Sequence, residues 1–140
     1  MVVKTKFDSI VKLKKLEVDK VQRELIKQNA KIEKLNQELQ NLIDELNSIE
    51  YPKNGNFSII TQIKMLQNLL LNQIKEKKNE IEIAKNQKKL LQGQLKDKEL
   101  EYEKMKYLQN EEIKKYLNKL KKEEVKNMDE IALMLFKGEQ

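Results

Sequence analysis

From Phe7 to Ile49 the chain steps by four and three residues in turn: Phe7, Val11, Lys14, Val18, Val21, Leu25, Gln28, Ile32, Leu35, Leu39, Leu42, Leu46 and Ile49. All but Lys14 and Gln28 are apolar. A strand needs apolar residues at every second position, and an isolated surface helix needs a broader stripe. A repeat of three and a half residues held over some six heptads fits a helix that buries a narrow seam against another helix. Lys14 and Gln28 would stand inside that seam. They either specify its register or are tolerated imperfections.

A partner for this seam stands further along the same chain. Residues 51–56, YPKNGN, hold the sole proline and an Asn-Gly pair, the strongest breakers present, and predict a turn. A second ladder follows: Ile60, Ile63, Gln67, Leu70, Ile74, Lys77, Ile81, Ala84, Lys88, Leu91, Leu95, Lys98, Tyr102 and Met105. Gly93 lies within it, where a glycine weakens a packed helix without ending it. Beyond Met105 the apolar residues Ile113, Leu117, Leu120, Met128, Ile131 and Leu135 fall out of step, as at a stutter. The reading is therefore a single all-α domain over residues 1–140. It is a long two-helix antiparallel coiled-coil hairpin, with helix one at about 6–49, a turn at about 50–57 and a longer helix two at about 58–137. Setting Ile49 opposite Ile60 puts Phe7 near Tyr102 and leaves the chain from about Met105 unpaired. A bend near residues 75–80 would shift that pairing, and a homodimer is the alternative to an intrachain hairpin.

Several apolar side chains lie off the seam. Ile10, Leu13 and Leu16 widen helix one near its start, and FSIITQIKMLQNLLLNQI places Ile59, Ile63, Leu66 and Leu70 on one face early in helix two. These zones are either local core packing or docking surfaces. Near the C-terminus, Met128, Ile131, Met134 and Leu135 recur at helical spacing, with Ala132 and Phe136 beside them and Asp129, Glu130 and Lys137 opposite. This is an amphipathic helix that folds back on Ile10, Leu13 and Leu16 or enters a protein groove. Its acidic residues stand where an anionic membrane surface would call for lysines, which argues against a lipid-facing role.

Composition removes whole classes of function. With no cysteine and no histidine there is no thiolate or imidazole for metal binding, nucleophilic attack or general base work. No glycine-rich phosphate loop or carboxylate pair in a cleft is present, so the expectation is a protein without enzymatic activity, cofactor or metal. The net charge of +6 comes almost wholly from lysine, Arg23 being the sole arginine, and aromatics are 5% of the chain. Readers of nucleic acid use arginine forks and stacked aromatics, so these lysines read as solvated helix faces paired with glutamates, and no nucleic-acid partner is expected. The longest apolar run, residues 131–136, is far too short to span a membrane, and lysines interrupt the N-terminal residues where a signal peptide would be apolar.

The order of these features resembles the FliJ family, the small coiled-coil component of the flagellar type III export apparatus. The likeness runs from LKKLEVDKVQREL, with Lys15, Glu17, Val18 and Asp19, through LNQELQNLIDELN and the Asn54-Gly55 loop. It ends at VKNMDEIAL, where Met128, Asp129, Glu130 and Ala132 match a Met-Asp-Glu-x-Ala signature. The resemblance implies a cytoplasmic hairpin, monomeric and peripherally associated with the export apparatus at the inner membrane, similar to the central stalk of rotary ATPases. Its implied partners are the export ATPase hexamer, the cytoplasmic domain of the export-gate membrane protein, and export chaperones. On this chain the ring-binding set would be Ile10, Leu13, Leu16, Met128, Asp129, Glu130, Ile131 and Leu135. The gate-binding set would be Ile59, Ile63, Leu66 and Leu70, a stretch holding no aromatic. A structural homodimer and a hairpin holdase that grips unfolded clients are the rival readings of the same residues.

Overall fold

The structure is a computed structural model that describes residues 3–138. It contains two helices, α1 (Asp8–Asn47) and α2 (Phe57–Gly138), and no strand among the described residues. The second, at 82 residues, is about twice the length of the first, at 40. α2 is continuous through residues 75–80, so the bend left open by the sequence is absent. Inter-residue contacts divide the chain into two compact units, Lys20–Lys96 and Met1–Asp19 with Asp97–Gln140.

Both helices begin on side-chain caps. Thr5 and Asp8 bond reciprocally ahead of α1: the Thr5 amide and hydroxyl donate to the Asp8 carboxylate at 3.0 and 2.7 Å, and the Phe7 amide donates to Thr5 Oγ1 at 3.1 Å. These contacts satisfy amides that have no partner inside the helix. For α2, Asn56 Oδ1 accepts from the Ile59 amide at 3.0 Å. In the connector, a side chain on Gly55 would meet Pro52 Cγ at 2.9 Å. Glycine is required here by that close approach, since no residue in the described chain takes a positive φ.

In the unit Lys20–Lys96, residue numbers rise along α1 as they fall along α2. Gln28 pairs with Ala84 and Glu38 with Lys77, so the two segments run antiparallel. Leu35, Ile81 and Ala84 form a buried cluster, with Ile32 and Leu39 packed on it. The Gln28 amide donates to the Ala84 carbonyl at 2.9 Å. A small residue opposite the glutamine leaves that backbone oxygen within reach, so the polar seam position is satisfied and favours one register. Tyr51 Oη donates to Gln67 Oε1 at 2.9 Å and lays the connector alongside the start of α2.

The other unit is antiparallel too: Asp8 lies against Gln109, Lys14 against Glu101 and Glu17 against Lys98. Val11 and Val18 are its buried seam residues. Lys14 and Lys98 each approach both Glu17 and Glu101, at 3.6 and 3.0 Å and at 3.4 and 3.7 Å, closing a ring of four alternating charges. Glu17 Oε2 is shut off from solvent without a hydrogen bond and is held by those two ammonium groups alone. The Lys15 ammonium stands 5.5 Å from the centre of the Tyr102 ring.

Every ladder position named from the sequence is buried or half-buried, on both helices. The register differs from the expected one. Asp8 bonds Gln109 at 2.8 Å, so the start of α1 lies about two turns further along α2 than the Phe7–Tyr102 pairing predicts. The connector lies beside the start of α2, with Tyr51 bonded to Gln67. The seam accordingly continues past Met105 through Gln109 and Glu112, which keep the four-three step and are half-buried. An apolar ladder cannot register such polar steps.

Candidate functional site

With the seam filled, what remains for function is what the seam leaves out. In the unit containing the C-terminus, the last helix–helix bond is that of Asp8 with Gln109, and residues 3–6 extend the cover beside Glu112, Lys115, Tyr116 and Lys119. From Lys121 to Gly138 every residue is exposed and helical. This is about 27 Å of helix with no described neighbour. Met128, Ile131 and Leu135 lie on it at 69%, 56% and 67% exposure, with Asp129 and Glu130 also in solvent. Val125 and Leu117, exposed one and three turns earlier, extend the same stripe and belong with it. Helical spacing from Met128 backwards is the signal that finds them.

Ile10, Leu13 and Leu16 are not joined to that stripe. They flank the closed part of the hairpin, where Lys14 meets Glu101; Leu13 and Leu16 are half exposed, and Ile10 is more covered. Met128 lies about 40 Å further along α2. The tail does not fold back on them: α2 stays continuous helix to Gly138, and every residue from Lys121 to that point is exposed. The eight residues of the ring-binding set thus form two separate patches.

In the unit Lys20–Lys96, the gate-binding set divides by burial. Leu70 is 3% exposed and Ile63 is half-buried, both in the seam, while Ile59 and Leu66 face solvent. Two heptad positions and two flank positions share the face drawn from the sequence, and the helix partner takes the first pair. The exposed surface is completed by Phe57, Met65, Leu69 and Leu71. Phe57 supplies an exposed aromatic just before the stretch that lacks one. Residues 57–74 carry a single charge, Lys64, in a chain where 37% of residues are charged. Beside them an open groove of about 440 Å³ is walled by Glu38, Glu45, Glu76 and Glu80 around Lys77.

The electrostatics concentrate at the polar seam positions. A hydrogen bond from Lys14 holds the Glu101 carboxyl below the usual glutamate range, and the same bond raises Lys14 above the usual lysine value against the opposing effect of desolvation. Lys77 does the same to Glu38 and is itself raised. Asp8 is lowered by its bonds from Gln109 and then Thr5. These shifts belong to helix pairing, and none lies on the exposed apolar patches. Among the described residues no cluster of His, Cys, Asp or Glu has a metal-binding arrangement, and no helix is long and apolar enough to cross a membrane.

The family model of the flagellar FliJ protein matches residues 3–140. No curated protein and no solved structure matches the chain. A full-length family match, two heptad helices in antiparallel contact and a seam occupied at every expected position agree with one another: the chain belongs to the flagellar FliJ protein family, coiled-coil proteins associated with flagellar type III export.

Proposed function

We propose that this protein is a non-enzymatic bridge between the hexameric export ATPase and the export-gate membrane protein, acting in the manner of a rotary ATPase's central stalk. The observation that carries the reading is the bare end of α2. It is a helix whose apolar stripe, Leu117, Val125, Met128, Ile131 and Leu135, has no partner among the described residues, preceded by Lys114, Lys115, Lys119, Lys121 and Lys122. Leaving such a stripe in water is unfavourable by roughly 25 cal/mol per Å² of apolar surface, which favours insertion into a protein groove. The ring interior is the proposed site, with the lysines matched to acidic groups on its wall. Asp129 and Glu130 orient the helix at the rim, and Ile10, Leu13 and Leu16 form a second patch engaged where the hairpin thickens.

The gate is assigned to the uncharged start of α2, through Ile59 and Leu66 with Met65 and Leu69 beside them. Ile63 and Leu70 support that face from the seam. Export chaperones are further partners for which no residues are assigned. The place of action is the cytoplasmic side of the inner membrane, with the protein held there by its partners as a monomeric hairpin.

The test is the double variant Ile131→Ser, Leu135→Ser. Co-purification with the export ATPase should be lost while the helical circular dichroism is retained. Unchanged binding overturns the ring assignment. A stable dimer by light scattering, with the tail protected from proteolysis in the absence of the ATPase, would assign the stripe to a second copy instead. Broad capture of denatured proteins would assign it to a holdase.

A further inference from the structure

We propose that Asn54 is a site of spontaneous deamidation, which gives the connector a charge that depends on the age of the molecule. Every asparagine in the chain other than Asn54 and Asn56 lies within α1 or α2. A helix locks the amide that follows such an asparagine into a backbone hydrogen bond and holds it away from the side chain. Even at the end of α1, the Ser48 amide after Asn47 is bonded to the Asp44 carbonyl at 3.0 Å. Asn56 is engaged as the cap of α2, its Oδ1 accepting from Ile59, and it precedes the bulky Phe57.

Asn54 differs on each count. It is exposed in the connector, no described hydrogen bond occupies its carboxamide or the Gly55 amide, and its successor is a glycine with no Cβ to obstruct approach. The Gly55 nitrogen, on losing its proton to hydroxide, attacks Cγ of Asn54. The new N–Cγ bond closes a five-membered succinimide as the Cγ–Nδ2 bond breaks and ammonia leaves. Water then opens the ring at either carbonyl, giving an aspartate or an isoaspartate at position 54. No oxidant or cofactor takes part.

The consequence is local and electrostatic. The connector between Asn47 and Phe57 carries one negative charge, Glu50, and one positive, Lys53, so a new carboxylate at position 54 turns a neutral segment net negative. That carboxylate lies three residues before Phe57, the first residue of α2, where a negative charge suits the helix dipole. The isoaspartate form also adds a methylene to the main chain in the segment where Gly55 and Pro52 are already in close approach.

The experiment ages the full-length protein at neutral and mildly alkaline pH and follows the lysine-cleaved peptide of residues 54–64 by mass spectrometry. Isoaspartate is scored separately with a protein-isoaspartate methyltransferase and labelled methyl donor. Asn54 should convert on the order of tenfold or more faster than any other asparagine, and faster as pH rises, with methyl acceptance confined to that peptide. Gly55→Ala should slow it by a comparable factor, and Asn54→Gln should abolish methyl acceptance. An intact Asn54 after helical asparagines have converted, or equal rates at Asn54 and Asn56, overturns the proposal.

Discussion

Lys14 Nζ lies 3.0 Å from Glu101 Oε2, bridging residues 87 apart in sequence from within the hydrophobic seam. Both belong to the four-charge ring with Glu17 and Lys98, and a ring of this kind rewards only one alignment of the helices. Sliding α2 by a heptad would carry Glu101 away from Lys14 and Lys98 away from Glu17, leaving each carboxylate only the ammonium group on its own helix.

The pairing is testable by charge reversal. Lys14→Glu alone places three carboxylates together and should lower the thermal midpoint by several degrees. Combining it with Glu101→Lys restores opposite charges across the helices at positions 14 and 101, while like charges then neighbour within each helix, and should recover part of the loss. If the double variant melts no higher than the single one, the ring contributes nothing to register.

Acid should loosen both units. The Asp8, Glu38 and Glu101 carboxyls have folded-state values below their unfolded ones, so their contribution is present above the unfolded value and is lost as pH falls through the folded one. Lys14 and Lys77 are raised, so theirs is complete below the usual lysine value and disappears as pH climbs through the raised one. Thermal midpoints by circular dichroism should be flat across neutrality and decline at both extremes. Glu38→Gln should start lower and fall less steeply in acid.

Gly93 sits inside α2, and a Cβ built there meets nothing within 4 Å. With no clash to oppose it, Gly93→Ala removes backbone freedom from the unfolded chain and should stabilise by about 0.5–1 kcal/mol. Chemical denaturation checks it, a higher midpoint at unchanged slope being the expected result.

Burial separates two apolar residues of the same helix. Ile81 is 6% exposed in the cluster with Leu35 and Ala84, and Ile81→Ala should cost about 2–3 kcal/mol. Met134, 71% exposed on the free tail, should change stability by no more than about 0.5 kcal/mol when replaced by alanine. Equal effects at the two positions would mean that the tail has a partner in the folded protein.

The heptad spacing alone determined the fold, because a three-four repeat of apolar side chains has one economical solution, a helix with a seam, and a short breaker-rich segment turns the second ladder back on the first. It also determined which residues fill the seam, down to Lys14, Gln28, Lys77 and Lys98, since a position in the heptad dictates burial whatever the side chain. Register was a different matter. It depends on cross-helix bonds such as Asp8 with Gln109 and Gln28 with Ala84. Those partners are distant in sequence and are brought together only by the folded chain. The candidate surfaces were half legible for the same reason. Spacing finds an apolar face, but only the packed neighbour decides that Leu70 belongs to the seam while Leu66, on the same face, is left to the solvent.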